Sequence, residues 1–226
     1  MMKTLYRTTP LLLVLALAAC QNRQSAGEVP PVVHDVTAHT TGLGSTGGKL
    51  DASAVWNGSL DACRNAATAS DTCLIDTLRA GGASAAALTA ARNLAAQDNP
   101  GYVSAWQSVE GVGVATLEFP FRANTNEGTW LVDASGRTVD VDRDVLDDNT
   151  RSLPEYKAFI AAHPDAVPFA PAIASGSDAL PDGGVRLRYR TPLRSCHACA
   201  DEGMLTIGYD FDAKRNFRGR QLVELR

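Results

Sequence analysis

The chain has 226 residues, 45% of them apolar, with 21 Lys and Arg against 25 Asp and Glu and a formal charge of −4. That length holds one domain with a sizeable core, or two small ones, and the apolar share is ordinary for a globular protein. The mild acidity excludes a general nucleic-acid binder, which would be strongly basic.

Met1 to Cys20 carries Lys3 and Arg7, then the apolar run Leu11 to Ala19, ending in Leu17-Ala18-Ala19-Cys20. A cationic head, an apolar stretch too short to span a bilayer, and small residues before a cut site describe an export leader rather than a membrane helix. The final tetrad resembles the lipobox of bacterial lipoprotein signal peptides. The resemblance implies that residues 1–19 are removed and that Cys20 is acylated, with palmitate-type chains, as the new N-terminus. Gln21 stands where that family places an aspartate to retain its members in the inner membrane, so the implied location is the outer membrane, facing the periplasm. Each buried methylene contributes about 0.8 kcal/mol, so two or three acyl chains hold the protein to the bilayer permanently. Removing residues 1–19 of 226 leaves 207, and losing Lys3 and Arg7 takes the formal charge from −4 to −6.

From Gln21 to about Ala54 the chain is rich in Gly, Ser, Thr and Pro and has no periodicity. It reads as a tether, spanning on the order of 30 Å. His34 and His39 within it read as solvated. The domain is then expected over residues 55–226.

Ser59 is placed to cap a helix that starts at Asp61, and Gly81-Gly82 stops the Ala-rich run at Ala80. Cys63 and Cys73 would lie about 15 Å apart along one continuous helix, beyond disulfide reach. If they pair, the run must break, and Ser70-Asp71 supplies a second cap. Ser84 caps a further helix to about Gln97. Val112 to Phe121 reads as a strand with apolar residues on both parities, which suggests a slip or bulge. Trp130 to Val141 reads as a hairpin, Ser152-Leu153-Pro154-Glu155 as a capping box for a helix to about Ala162, and Pro168 to Pro181 as a loop. The last third alternates as a three-stranded meander from Val185 to Leu225. The expected fold is α+β, with short N-terminal helices packed on an antiparallel, meander-rich β-sheet.

Once Cys20 is lipidated, Cys63, Cys73, Cys196 and Cys199 remain, an even number in an oxidising compartment. Local pairing, Cys63–Cys73 and Cys196–Cys199, is favoured among three connectivities because each pair lies within one short segment. Cys196-His197-Ala198-Cys199 has the spacing of the thioredoxin-like family, which would imply Cys196 as nucleophile, Cys199 as resolver and His197 tuning the thiolate. That fold needs a helix to start at the pair, whereas Met204 onwards alternates like a strand, so a structural staple is the first reading. His163 is too remote in sequence to complete a zinc site with the pair.

Asp140, Asp142, Asp144, Asp147 and Asp148 resemble the opening of an EF-hand loop. However, Val145 replaces its glycine and Arg151 its bidentate glutamate, so a solvated loop is preferred to a calcium site. Arg186, Arg188 and Arg190 share one side of a strand and form the candidate anion-binding set, joined by Arg194, Lys214, Arg215, Arg218 and Arg220. No motif for hydrolysis or phosphate binding is present. No catalytic residue, metal or cofactor is therefore assigned. The expected role is a non-catalytic binding or structural domain, held to the membrane by its lipid and meeting an envelope protein or anionic polymer. The alternative is a tethered thiol–disulfide oxidoreductase.

Overall fold

The computed structural model describes residues 49–64, 70–143 and 145–226. The expected leader, Cys20 and the expected tether up to residue 48 lie outside the described residues, as do residues 65–69 and Asp144. The packed core begins before the expected boundary at residue 55, since Leu50 is 2% exposed and Ala54 is fully buried. The local cause is Asp51, whose carboxylate accepts from the Ser53 amide at 2.8 Å and caps a single 3-10 turn, Ala52–Ala54.

Five helices are described: α1 (Asp61–Arg64), α2 (Ser70–Ala80), α3 (Ala85–Ala95), α4 (Asp148–Ser152) and α5 (Pro154–Ala162). The break demanded by the cysteine spacing is present. Cys63 on α1 and Cys73 on α2 form a disulfide with Cα atoms 5.6 Å apart, and Ser59 Oγ accepts from the Asp61 amide. Replacing both cysteines with serine is expected to lower the unfolding free energy by about 2–3 kcal/mol, from the entropy of a loop this short. Urea denaturation of the oxidised protein and the double variant reads this directly. The expected capping box is not formed. Ser152 ends α4 and donates to the Asn149 carbonyl, while α5 starts behind Leu153 with Pro154 in its first turn and no side-chain cap.

Nine strands make two antiparallel sheets among the described residues. The first joins β1 (Tyr102–Val109), β2 (Val112–Glu118), β3 (Glu127–Val132) and β4 (Thr138–Asp140) in chain order. In the second, β5 (Val167–Pro168) and β6 (Ile173–Ala179) share one edge of β7 (Val185–Arg194), which pairs with β8 (Gly203–Phe211) and then β9 (Phe217–Leu225). The fold is therefore α+β, with two sheets where the sequence suggested one, and with α4 and α5 lying between the strands of the first sheet and those of the second.

β2 explains the layering. Ala115 and Leu117 face Leu50, Ala54, Ala90 and Leu94, while Val112 and Val114 face the second sheet through Leu187, Tyr189, Ile207 and Tyr209. Apolar residues on both parities thus mark a strand buried on both faces, and its register with β3 is unbroken. The result is three layers, helices on sheet on sheet, with the outer face of the second sheet facing solvent. The long edge strands β1, β6 and β9 each carry a register shift, which disfavours pairing with another chain.

Candidate functional site

The candidate anion-binding arginines do lie together on the open face of the second sheet. Strand pairing puts Asp178, Arg186 and Asp210 in one row, Gly176, Arg188 and Gly208 in the next, and Ile173, Arg190 and Thr206 in the third. The aspartates neutralise most of the charge. Arg186 grips Asp210 through two bonds of 2.6 and 2.9 Å, which raises its own pKa above the usual arginine value, and Arg188 lies 3.3 Å from Asp178. Arg190 is exposed and makes no ion pair among the described residues.

The wider cationic side breaks up. A register shift turns Arg220 inward, opposite Tyr209, where it faces Asp147 at 3.8 Å with both side chains about 10% exposed. Arg215 donates to the carbonyls of Glu110 and Gly183, knotting three turns together, while Arg218 pairs with Asp182 and Arg194 with Asp201. Charge counting along a strand could not see these partners, because all but Asp201 come from distant parts of the chain. What the open face does gather is apolar. Val167, Ile173 and Val223, the exposed large hydrophobics among the described residues at 50, 57 and 39%, all belong to the second sheet. Val167 is registered opposite Arg194 and Ile173 opposite Arg190, while Val223 reaches over Gly208.

Cys196 and Cys199 form a disulfide in the turn between β7 and β8, with Cα atoms 5.0 Å apart, and the Cys199 amide donates to the Cys196 carbonyl. Cys196 is exposed and Cys199 half-buried. A strand, β8, follows the pair, so no helix N-terminus meets either sulfur. The His197 ring lies 6.0 Å from that of Phe169, while His163 sits 3.1 Å from Glu202.

The acidic run takes on structural work. Asp147 caps α4 through the Thr150 amide at 2.7 Å, and Asp140 Oδ1 accepts from the amides of Asp142 and Arg143. Asp142 reaches furthest, its Oδ2 accepting from the Thr129 amide at 2.9 Å and its Oδ1 from the Ala172 amide at 2.6 Å. Among the described residues, no group of three His, Cys, Asp or Glu side chains is placed to hold a metal.

Beside Asp142 opens a cavity of about 260 Å³, lined by Asn99, Phe119, Arg122, Glu127, Asp140 and Arg143 among others. The Arg122 guanidinium lies 3.6 Å over the Phe119 ring and donates to Asn99 Oδ1 at 2.5 Å. Burial dominates the electrostatics here. It pushes Asp142 up to about 6, raises Asp140, and lowers Arg122. The run of aspartates marked this place in the sequence, but Phe119, Arg122 and the Ala172 amide come to it only through the fold. Compared with known proteins, the chain matches no family model, no curated protein and no solved structure.

Proposed function

We propose that the chain is a lipid-anchored protein of the bacterial envelope, tethered through Cys20 to the outer membrane and facing the periplasm, where its domain acts as a non-catalytic binding module. The observation that carries this reading is the assignment of all five cysteines. Four are joined in two disulfides, which suits an oxidising compartment, and the fifth ends the Leu17-Ala18-Ala19-Cys20 tetrad.

The open face of the second sheet is the binding surface we favour, because it carries the exposed Val167, Ile173 and Val223, with Ile173 registered opposite the exposed Arg190. The Asp178 and Asp210 pairings leave that face little net charge, which favours an envelope protein over an anionic polymer. An exposed Cys196 is what thiol–disulfide exchange would need. Without a helix N-terminus to stabilise a thiolate, the pair is better read as a staple of the β7–β8 turn.

One experiment in living cells tests both halves. The full chain, with a photocrosslinking residue in place of Ile173, is fed an alkyne fatty acid. The expected result is labelling that vanishes in Cys20→Ser, together with a discrete crosslinked protein band that is missing when the probe replaces Arg92 on α3. Unlabelled protein recovered from the cytosol overturns the anchor. Labelled protein whose crosslinks are the same from both positions overturns the binding face.

A further inference from the structure

The cleft beside Asp142 holds charges of both signs that do not neutralise one another. Asp140, Asp142 and Glu127 supply carboxylates and Arg122 and Arg143 supply guanidiniums, yet none of the five makes an ion pair among the described residues. Elsewhere arginine and aspartate that share a face do meet, as Arg186 meets Asp210 and Arg218 meets Asp182. We propose that this cleft binds a small zwitterion, an amino-acid-like molecule whose ammonium sits against Asp140 and Asp142 and whose carboxylate meets Arg143. The site is separate from the face assigned to a protein partner, and it needs neither that face nor the lipid anchor.

The backbone builds this separation of charge. Asp140 is fixed by the amides of Asp142 and Arg143, and Asp142 by the amides of Thr129 and Ala172. These donors set both half-buried carboxylates in place without bringing a positive charge to either. Burial is the first influence on both and raises them, while the attractions of Arg122 on Asp142 and of Arg143 on Asp140 count least. Arg122 donates elsewhere, to Asn99 Oδ1 and the Thr125 carbonyl, with its guanidinium 3.6 Å over the Phe119 ring. Arg143 is exposed, so its guanidinium is available at the mouth of the cleft.

The space itself is kept open by a glycine. A Cβ at Gly128 would come within 2.8 Å of the Phe119 ring and 3.4 Å of Asp142 Oδ2, so the absence of a side chain there leaves room beside that oxygen. The cavity of about 260 Å³ has room for a free amino acid. A simple anion would meet three carboxylates against two guanidiniums, and a simple cation would leave Arg143 unanswered. A molecule with an ammonium at one end and a carboxylate at the other satisfies both sets by charge-assisted hydrogen bonds.

The test is amide NMR of the full chain in detergent, with its disulfides intact, titrated with L-alanine, ethylamine and propionate. The last two are alanine without its carboxylate and without its ammonium. Alanine is expected to shift the Gly128, Arg143 and Ala172 amides and to bind about tenfold tighter than either of the others. Arg143→Ala removes an exposed side chain and leaves the backbone amide that holds Asp140. It is expected to weaken alanine about fivefold or more and to leave ethylamine unchanged. Ethylamine binding as tightly as alanine would make the cleft a plain cation site and overturn the proposal. So would an absence of shifts in these amides at tens of millimolar alanine, or an alanine affinity that Arg143→Ala leaves intact.

Discussion

Asp133→Ala is expected to lower the free energy of unfolding by about 3–5 kcal/mol, the range for removing one partner from a buried, hydrogen-bonded charge network. Asp133 is 2% exposed at the end of β3. Its Oδ1 accepts from the Ser135 amide, the Ser135 hydroxyl and the Arg137 amide, and its Oδ2 accepts from the Phe217 amide at the start of β9. Arg137 lies 3.3 Å away and also donates to the Phe217 carbonyl. The truncation would leave four donors without an acceptor, three of them in the turn after β3 and one in the opposite sheet. Asp133→Asn keeps the Oδ1 bonds and presents an amide nitrogen to Phe217, so its cost should be smaller, about 1–3 kcal/mol. Urea denaturation of both variants gives the ordering. A loss under about 1 kcal/mol for Asp133→Ala would show that the turns hold without this carboxylate.

The second large effect is a stability that rises on mild acidification. Asp142 has a folded-state pKa of about 6 against 3.8 when unfolded. The folded state therefore takes up its proton first as pH falls, and the contribution to stability is complete below the unfolded value and lost as pH rises through about 6. A gap of about two pKa units is worth about 3 kcal/mol, and Asp140, raised by burial, acts in the same direction. Asp133 has the opposite sign. Its burial would raise the pKa, but the bonds from Ser135, Phe217 and Arg137 outweigh that and hold it below the usual carboxylate range. Its stabilisation is present above the unfolded value and is lost as pH falls through the lowered one. Asp182, Asp212 and Glu202 are lowered as well, by hydrogen bonds from Gly184, Asn216 and Ser195 first. Denaturation midpoints are thus expected to climb from pH 7.5 to about pH 5 and to fall again below about pH 4. A flat or steadily falling profile over the upper range would show that Asp142 is solvated in solution.

Asp133 is buried and Asp142 half-buried, and each ties the first sheet to the second or to its approach, yet their proton affinities are displaced in opposite directions. The difference is whether burial, which raises both, is outweighed by donors. Asp133 receives four hydrogen bonds and an adjacent guanidinium, while Asp142 receives two and faces another carboxylate. Nothing in the residue letters separates them, because both sit in short polar turns after apolar strands.

What the sequence determined by itself is whatever depends on neighbours along the chain. The break between α1 and α2 follows from the reach of a disulfide against the rise of a helix, and the strands β7 and β8 follow from side chains alternating at a period of two. The arginines of β7 share one face for the same reason. Strands β1 and β6 were not legible, because each lies at a sheet edge with one wet face and an irregular register, so neither shows a clean apolar alternation. β2 was legible as a strand, but its two apolar parities read as a slip until a second sheet was there to cover the other side. Only the tertiary structure decided which charges are neutralised. Asp178 and Asp210 meet Arg188 and Arg186 across strands, Arg220 is turned inward by a bulge, and Asp142 finds the Ala172 amide thirty residues away. Local pattern sets which way a side chain points, whereas its partner is set by strand register and by the packing of one sheet on another.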